Sequence, residues 1–227
     1  LLTDDGQRIY VQAQDIAKNI RLLQHSARER QNAVTEVIIS APPAVIHTLL
    51  PPHVSEFFTR HPCIHLTLDS NVGFSNLHQR QADIALRMSR PTQADLAVRA
   101  LRSVRFGFYA HADYLASTAR ADWRFFGFTV ANRFTRWAAE QTENERVVLS
   151  GNDFSTLRQL MINGLGIGLL PDYAVHPDDG LLPVAIHGAT PETLQETLYL
   201  VMHEDVRRSP AVRAAADFLV EVLAQEV

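Results

Sequence analysis

Cysteine is nearly missing from these 227 residues: Cys63 stands alone, so no disulfide can form within the chain. A single thiol fits a reducing compartment, and we expect the cytoplasm. Lysine is just as scarce, with Lys18 the only one. No Lys/Arg-rich run marks a basic face, and the formal net charge is −4 with a pI near 6.2. Both disfavour direct contact between this chain and nucleic acid. Long apolar runs are absent too. The stretch from Gly164 to Pro171 is far short of the roughly 20 residues that cross a bilayer. The opening Leu1-Leu2-Thr3-Asp4-Asp5-Gly6 is polar and acidic, without the basic start and apolar core of a signal peptide. A first residue other than Met makes a fragment or processed product the expectation. What is present, 46% hydrophobic and 20% charged residues, suffices for a globular core.

Glycine and proline are lacking between Gly6 and Pro42, which allows one long helix over Asp5 to Arg30. Its apolar positions Ile9, Ala13, Ile16, Ile20 and Leu23 alternate steps of four and three, a heptad seam that wants a partner helix. Packing against the chain's own domain is the alternative, and a dimer is the sharper expectation.

Beyond it, strands and helices alternate. Strands are expected at Glu36 to Ser40, Ile64 to Asp69 and Ala82 to Arg87. A helix follows Pro42-Pro43 to about Arg60, interrupted by Pro51-Pro52, and a short one covers Phe74 to Gln79. Leu96 to Tyr109 is an unusually long extended segment that could cross between lobes. The pattern then repeats: helix Ala112 to Ala116, strand Phe125 to Val130, helix Phe134 to Glu140, strand Arg146 to Ser150, helix Phe154 to Asn163 and strand Ile167 to Leu170. Glu196 to His203 could cross back, and Pro210 to Ala224 is an amphipathic final helix. This is an α/β chain of two lobes joined by two crossover strands, with 34–105 and 204–227 as lobe I and 106–203 as lobe II, preceded by the long helix within 1–33. Two such lobes imply a ligand cleft at strand ends.

Several motifs dissolve on inspection. Gly164-Leu165-Gly166-Ile167-Gly168 follows a helix and precedes a strand, the reverse of a dinucleotide fingerprint; a helix C-cap at Gly164 explains it. His61, Cys63 and His65 lack a second cluster with ligand spacing. No Gly-x-Ser-x-Gly elbow or other catalytic signature occurs. We therefore expect no metal, no cofactor and no catalysis. Four loops carry more weight, each joining a strand end to a helix start: Ser40-Ala41-Pro42-Pro43-Ala44, Asn71-Val72-Gly73-Phe74, Ala131-Asn132-Arg133-Phe134 and Gly151-Asn152-Asp153. Helix starts offer unpaired N–H groups, and Arg133 is available to a carboxylate. Each is also explicable as an ordinary cap or turn.

Seven pieces, in order, resemble the LysR-type transcriptional regulators. Leu2-Thr3-Asp4-Asp5-Gly6 is similar to the end of that family's winged helix-turn-helix. Ile39-Ser40-Ala41-Pro42 with Leu49-Leu50-Pro51, Phe57 to Pro62 before Ile64, and Ala82 to Arg87 resemble its first effector lobe. Phe108 to Leu115, Asn163 to Pro171, and Leu198 to Asp205 with Arg207-Arg208-Ser209-Pro210 resemble its crossover, second lobe and return. The resemblance implies a type 2 periplasmic-binding-protein-like fold of two Rossmann-like lobes, with 1–33 as the end of the DNA-binding head and the dimerisation linker helix, and a small-molecule effector, an organic acid or an aromatic. It also implies homodimers or homotetramers, and DNA contact only through the missing N-terminal head. Effector contacts carried over by position are Ser40, Pro42, Pro43, Asn71, Phe74, Arg133, Phe134 and Asn152. Pro42-Pro43 departs from the pattern by removing two N–H donors, which weakens an anion cradle there. A solute-binding protein for transport and an enzyme on the same lobes are the competing readings; the heptad seam disfavours the first and the absence of a titratable cluster the second.

Overall fold

Val37, Ile39 and Ala41 share one face of an extended segment. All three are buried, as expected of a strand covered by a helix. In the computed structural model they lie on β1 (Thr35–Ala41). The structure describes residues 34–71, 82–91, 93, 95–142 and 147–224. The heptad positions Ile9, Ala13, Ile16, Ile20 and Leu23, together with Phe74, lie outside the described residues.

The described chain forms two compact units. The first comprises 34–41, His53–Leu101 and Tyr199–Ala224; the second comprises Pro42–Pro52 and Arg102–Leu198. Strands β4 (Leu96–His111) and β9 (Thr193–His203) carry the chain from one to the other.

In the first unit β1 runs parallel to β2 (Ile64–Ser70) and to β3 (Ile84–Arg87), and β3 pairs antiparallel with β9 through Arg87↔Tyr199. Helix α1 (Pro51–Arg60) starts on its two prolines, which need no donor in a first turn. Its Phe57 ring meets Phe218 edge-on at 5.2 Å. Phe218 sits on α5 (Pro210–Leu223), whose Val212, Ala215, Ala216, Leu219 and Leu223 repeat at three and four residues and are all buried.

In the second unit β4 pairs antiparallel with β7 (Ile167–Pro171) and with the short β8 (Leu181–Pro183). Strand β5 (Phe125–Phe128) lies parallel to both β7 and β6 (Val147–Gly151). Helices α2 (Ala112–Ser117), α3 (Arg133–Gln141) and α4 (Phe154–Ile162) complete it. Leu157 and Met161 of α4 bury against Phe126, Leu170 and Leu181. Before α1 the chain does not make an ordinary helix. Val45–Leu49 is π-helical, with Leu50 N donating to Val45 O at 3.3 Å. Pro51 and Pro52 cannot donate the bonds that would carry an α-helical ladder onward, and the backbone changes pitch just before them.

Helix α4 ends in a Schellman turn: Gly164 has φ +67°, its N–H donates to Met161 O, and Leu165 N donates to Leu160 O. The glycine run is thus a helix stop and a strand entry. Gly166 is required for room, since a Cβ there would stand 2.8 Å from Arg124 O.

A polar staple closes the loop before β9. Burial pushes the Glu192 carboxyl up, but the N–H groups of Ile186 and His187, at 2.9 and 2.7 Å, pull it further the other way, so its pKa is lowered. A carboxylate with a depressed folded pKa stabilises above its unfolded value near 4.5, and that contribution is lost as pH falls through the folded value. Glu192→Gln should therefore melt below the parent at neutral pH, and the two melting temperatures should converge in acid. A constant gap across the titration would show that the charge is irrelevant.

Candidate functional site

In the first unit the carboxyl ends of β1, β2 and β3 meet around one arginine. β3 is buried at all four positions, and its last residue, Arg87, is only 2% exposed. Its Nη1 donates to Ser40 O and Leu86 O, and its Nη2 to Ser40 Oγ, each at 2.8 Å. Ser40 Oγ donates to Asp69 Oδ2 at 3.1 Å. Burial pushes the guanidinium pKa down to about 10, while the charge of Asp69 pulls it up; the group stays protonated at neutral pH. A buried charge needs such partners, and these lock three strand ends together. Just beyond, Asn71 N donates to Ala41 O at 2.8 Å, and Pro42 and Pro43 are half-buried.

In the second unit two helix starts are closed by their own side chains. Asn132 Oδ1 accepts from Thr135 N at 3.0 Å, with Thr135 Oγ1 accepting from Asn132 N in return. Asp153 accepts from Thr156 N and Oγ1 at 2.9 and 2.7 Å. With caps in place, neither N-terminus is an open anion cradle. Four phenylalanines hold these starts. Phe134 on α3 stacks on Phe106 at 5.0 Å, and Phe154 on α4 lies 5.5 Å from Phe134 and 4.8 Å from Phe128. Arg133 projects outward with its side chain 70% exposed. It stands 3.1 Å from Glu196, an ion pair without hydrogen-bond alignment.

The second unit also contains a cavity of about 540 Å³ between the Pro42–Pro52 segment and α4. His47, Ser155, Arg158, Gln159 and His176 supply its polar lining. His47 Nδ1 and Ser155 Oγ are 3.1 Å apart. Arg158 is anchored from behind: its Nε and Nη2 reach the two carboxylate oxygens of Asp179 at 3.1 and 2.5 Å.

Against this geometry, the family profile described as "LysR substrate binding domain" matches residues 30–224. The chain belongs to the LysR substrate-binding family. The HTH-type transcriptional regulator CrgA of Neisseria meningitidis serogroup C (strain 8013) is 30% identical over 242 residues, 98% of this chain and 79% of that protein. Among solved structures, the regulatory domain of N. meningitidis CrgA superposes with a TM-score of 0.71 at 26% identity, covering 83% of this chain and 98% of that one. Full-length AphB, the Vibrio cholerae virulence activator, has a TM-score of 0.68 at 19% identity, over 98% of this chain and 81% of that one, a likeness of fold alone. The LysR domain therefore has the two-lobe, periplasmic-binding-protein-like α/β fold and is the effector-binding part of a LysR-type transcriptional regulator. No helix among its described residues is long and apolar enough to cross a membrane.

The positions singled out from the LysR resemblance have different surroundings. Ser40 is fully enclosed, and its hydroxyl is taken up by Arg87 and Asp69. Phe134 is a member of the ring cluster. Phe134 itself, with Pro42, Pro43, Asn71, Arg133 and Asn152, retains accessible surface. Sequence reasoning passed over two features of this LysR domain. Arg87 was legible only as the end of a strand, although a charge closing an apolar run is itself a signal. The cavity joins residues as far apart as His47 and Ser155, and no local pattern announces that.

Proposed function

We propose that this LysR domain senses a small organic molecule, an organic acid or an aromatic, at the carboxyl-terminal ends of its parallel strands. The supporting observation is the junction of β1 and β2: Ala41 and Ser70 are register partners there, and Asn71 crosses to Ala41 O. Ligands of open α/β sheets sit outside such ends. Pro42, Pro43, Asn71, Arg133, Phe134 and Asn152 are the contacts we assign, with Phe74 added from the resemblance. Ser40 holds the loop that presents Pro42 and Pro43. We assign 34–105 with 204–227 to lobe I and 106–203 to lobe II. Dimers or tetramers form through the seam of Ile9, Ala13, Ile16, Ile20 and Leu23. The regulator acts in the cytoplasm, contacts DNA through an N-terminal head, and catalyses nothing. A ligand switches it by binding one conformation better than another.

The test is a thermal-melt screen against organic acids, aromatics, sugars and amino acids. A ligand at a hundred times its Kd adds about 2.7 kcal/mol, a rise of roughly 5–10 °C for a domain of this size. We expect a saturable rise that Asn71→Ala weakens. A rise indifferent to Asn71→Ala and Arg133→Ala alike would move the site elsewhere. No rise with any class would remove the basis for a small-molecule sensor.

A further inference from the structure

The carboxylate reader expected from sequence was Arg133, but its surroundings suit that task poorly. Its guanidinium is mostly in water and already faces Glu196. The neighbouring helix starts are capped, and Pro42 and Pro43 offer no N–H. The half-open pocket of the second unit holds its arginine more closely. Arg158 is only 18% exposed, and Asp179 occupies one edge of its guanidinium through Nε and Nη2. A guanidinium has five donors in a fixed plane. With that edge taken, the Nη1–Nη2 end remains, and Nη1 has no hydrogen-bond partner among the described residues. Such an end matches the two oxygens of a carboxylate.

The rest of the lining agrees. His47, Ser155, Gln159 and His176 can all donate hydrogen bonds, and no Asp or Glu is among the lining residues. The approach of His47 Nδ1 to Ser155 Oγ fixes that ring, leaving Nε2 on its far side. A volume of about 540 Å³ lies within the range of pockets for small organic ligands. We propose that this cavity binds a small carboxylic acid, with the oriented end of Arg158 pairing with the carboxylate and His47 and His176 flanking it. This rests on the reading that the domain senses a small organic molecule, and it moves recognition of an acid from Arg133 and the strand-end loops to Arg158. Arg158 and Asp179 together are formally neutral, so selection comes from donor geometry more than from net charge.

The test uses the 227-residue chain and simple probes: acetate, benzoate and succinate, titrated into the tens of millimolar, with benzamide and succinamide as uncharged counterparts. The readout is the NMR signals of the Arg158 Nε–H and of the His47 and His176 rings. We expect saturable shifts with at least one acid and none with its amide. Affinity should fall at least about tenfold in Arg158→Gln. Because that change strands Asp179, the double variant Arg158→Gln/Asp179→Asn is measured beside it, and the exposed His47→Gln should weaken binding more modestly. Equal response to acid and amide, or unchanged affinity in the double variant, would overturn the proposal. Acids that move signals of Asn71 and Asn152 but not Arg158 would overturn it while leaving small-molecule sensing intact. Silence from every probe here overturns it as well; silence from the melt screen in addition would remove the sensing reading.

Discussion

Arg87→Met should lower the melting temperature of this domain by roughly 10 °C. Two effects oppose each other. The substitution relieves the cost of burying a guanidinium, whose pKa is already depressed to about 10. It also strips donors from Ser40 O, Leu86 O and Ser40 Oγ, and removes the positive neighbour of Asp69. Methionine replaces the volume and none of the bonds. Removing one partner from a buried charged network costs about 3–5 kcal/mol, more than replacement of a whole pair by apolar residues. The second effect therefore wins. Ser40→Ala is the control, since it deletes hydroxyl bonds while Arg87 keeps both carbonyl acceptors; it should cost about 1 kcal/mol. Chemical denaturation of both variants decides the matter. If Arg87→Met unfolds with the parent, the arginine is a passenger and the three strand ends hold themselves.

Phe106→Ala should be comparably costly, for a different reason. Phe106 is fully buried, stacked on Phe134 and 5.6 Å from Phe154. Truncating such a ring leaves a cavity and costs about 3–5 kcal/mol. The loss has a local address. Phe134 and Phe154 occupy the first turns of α3 and α4, so hydrogen exchange should accelerate at the capped N–H groups of Thr135 and Thr156 beyond what global destabilisation explains. Phe106→Leu, which fills much of the space, should cost about 1 kcal/mol. Uniform acceleration across the second unit would show that the ring cluster stabilises without positioning anything.

Elements with several turns or alternations were legible in the chain. The three- and four-residue spacing from Val212 to Leu223 marks α5, and the run Leu96 to Phe108 marks most of a strand that extends to His111. The helix stop at Gly164 was legible because αL geometry favours glycine. What escaped was short or distant. Leu181–Pro183 is too brief for a period to register. The π-helical Val45–Leu49 differs from an α-helix in hydrogen-bond reach, which leaves no trace in five residues. Strand Phe125–Phe128 stops two residues before the Val130 expected, where the turn into the Asn132 cap begins. The site suffered most, because burial of Ser40 depends on a side chain 47 residues away and the cavity on a pairing across 108. Local pattern finds loops at strand ends; it does not tell which polar groups spend their bonds internally.

The division of the chain also dictates an order of events during synthesis. The second unit is almost one continuous stretch, Arg102–Leu198, and can close once that stretch has emerged. The first unit cannot. Its β3 waits for the Tyr199–Met202 part of β9, and Phe57 waits for Phe218 on α5. Domains usually fold from the N-terminus forward. Here the unit that begins first finishes last, and until Tyr199–Met202 emerges β3 presents an open strand edge and buried-type residues such as Ala85 to the surroundings. A premature stop between Leu198 and Pro210 would release a chain whose Arg102–Leu198 stretch is whole and whose first unit, lacking α5, is an unclosed, aggregation-prone remnant.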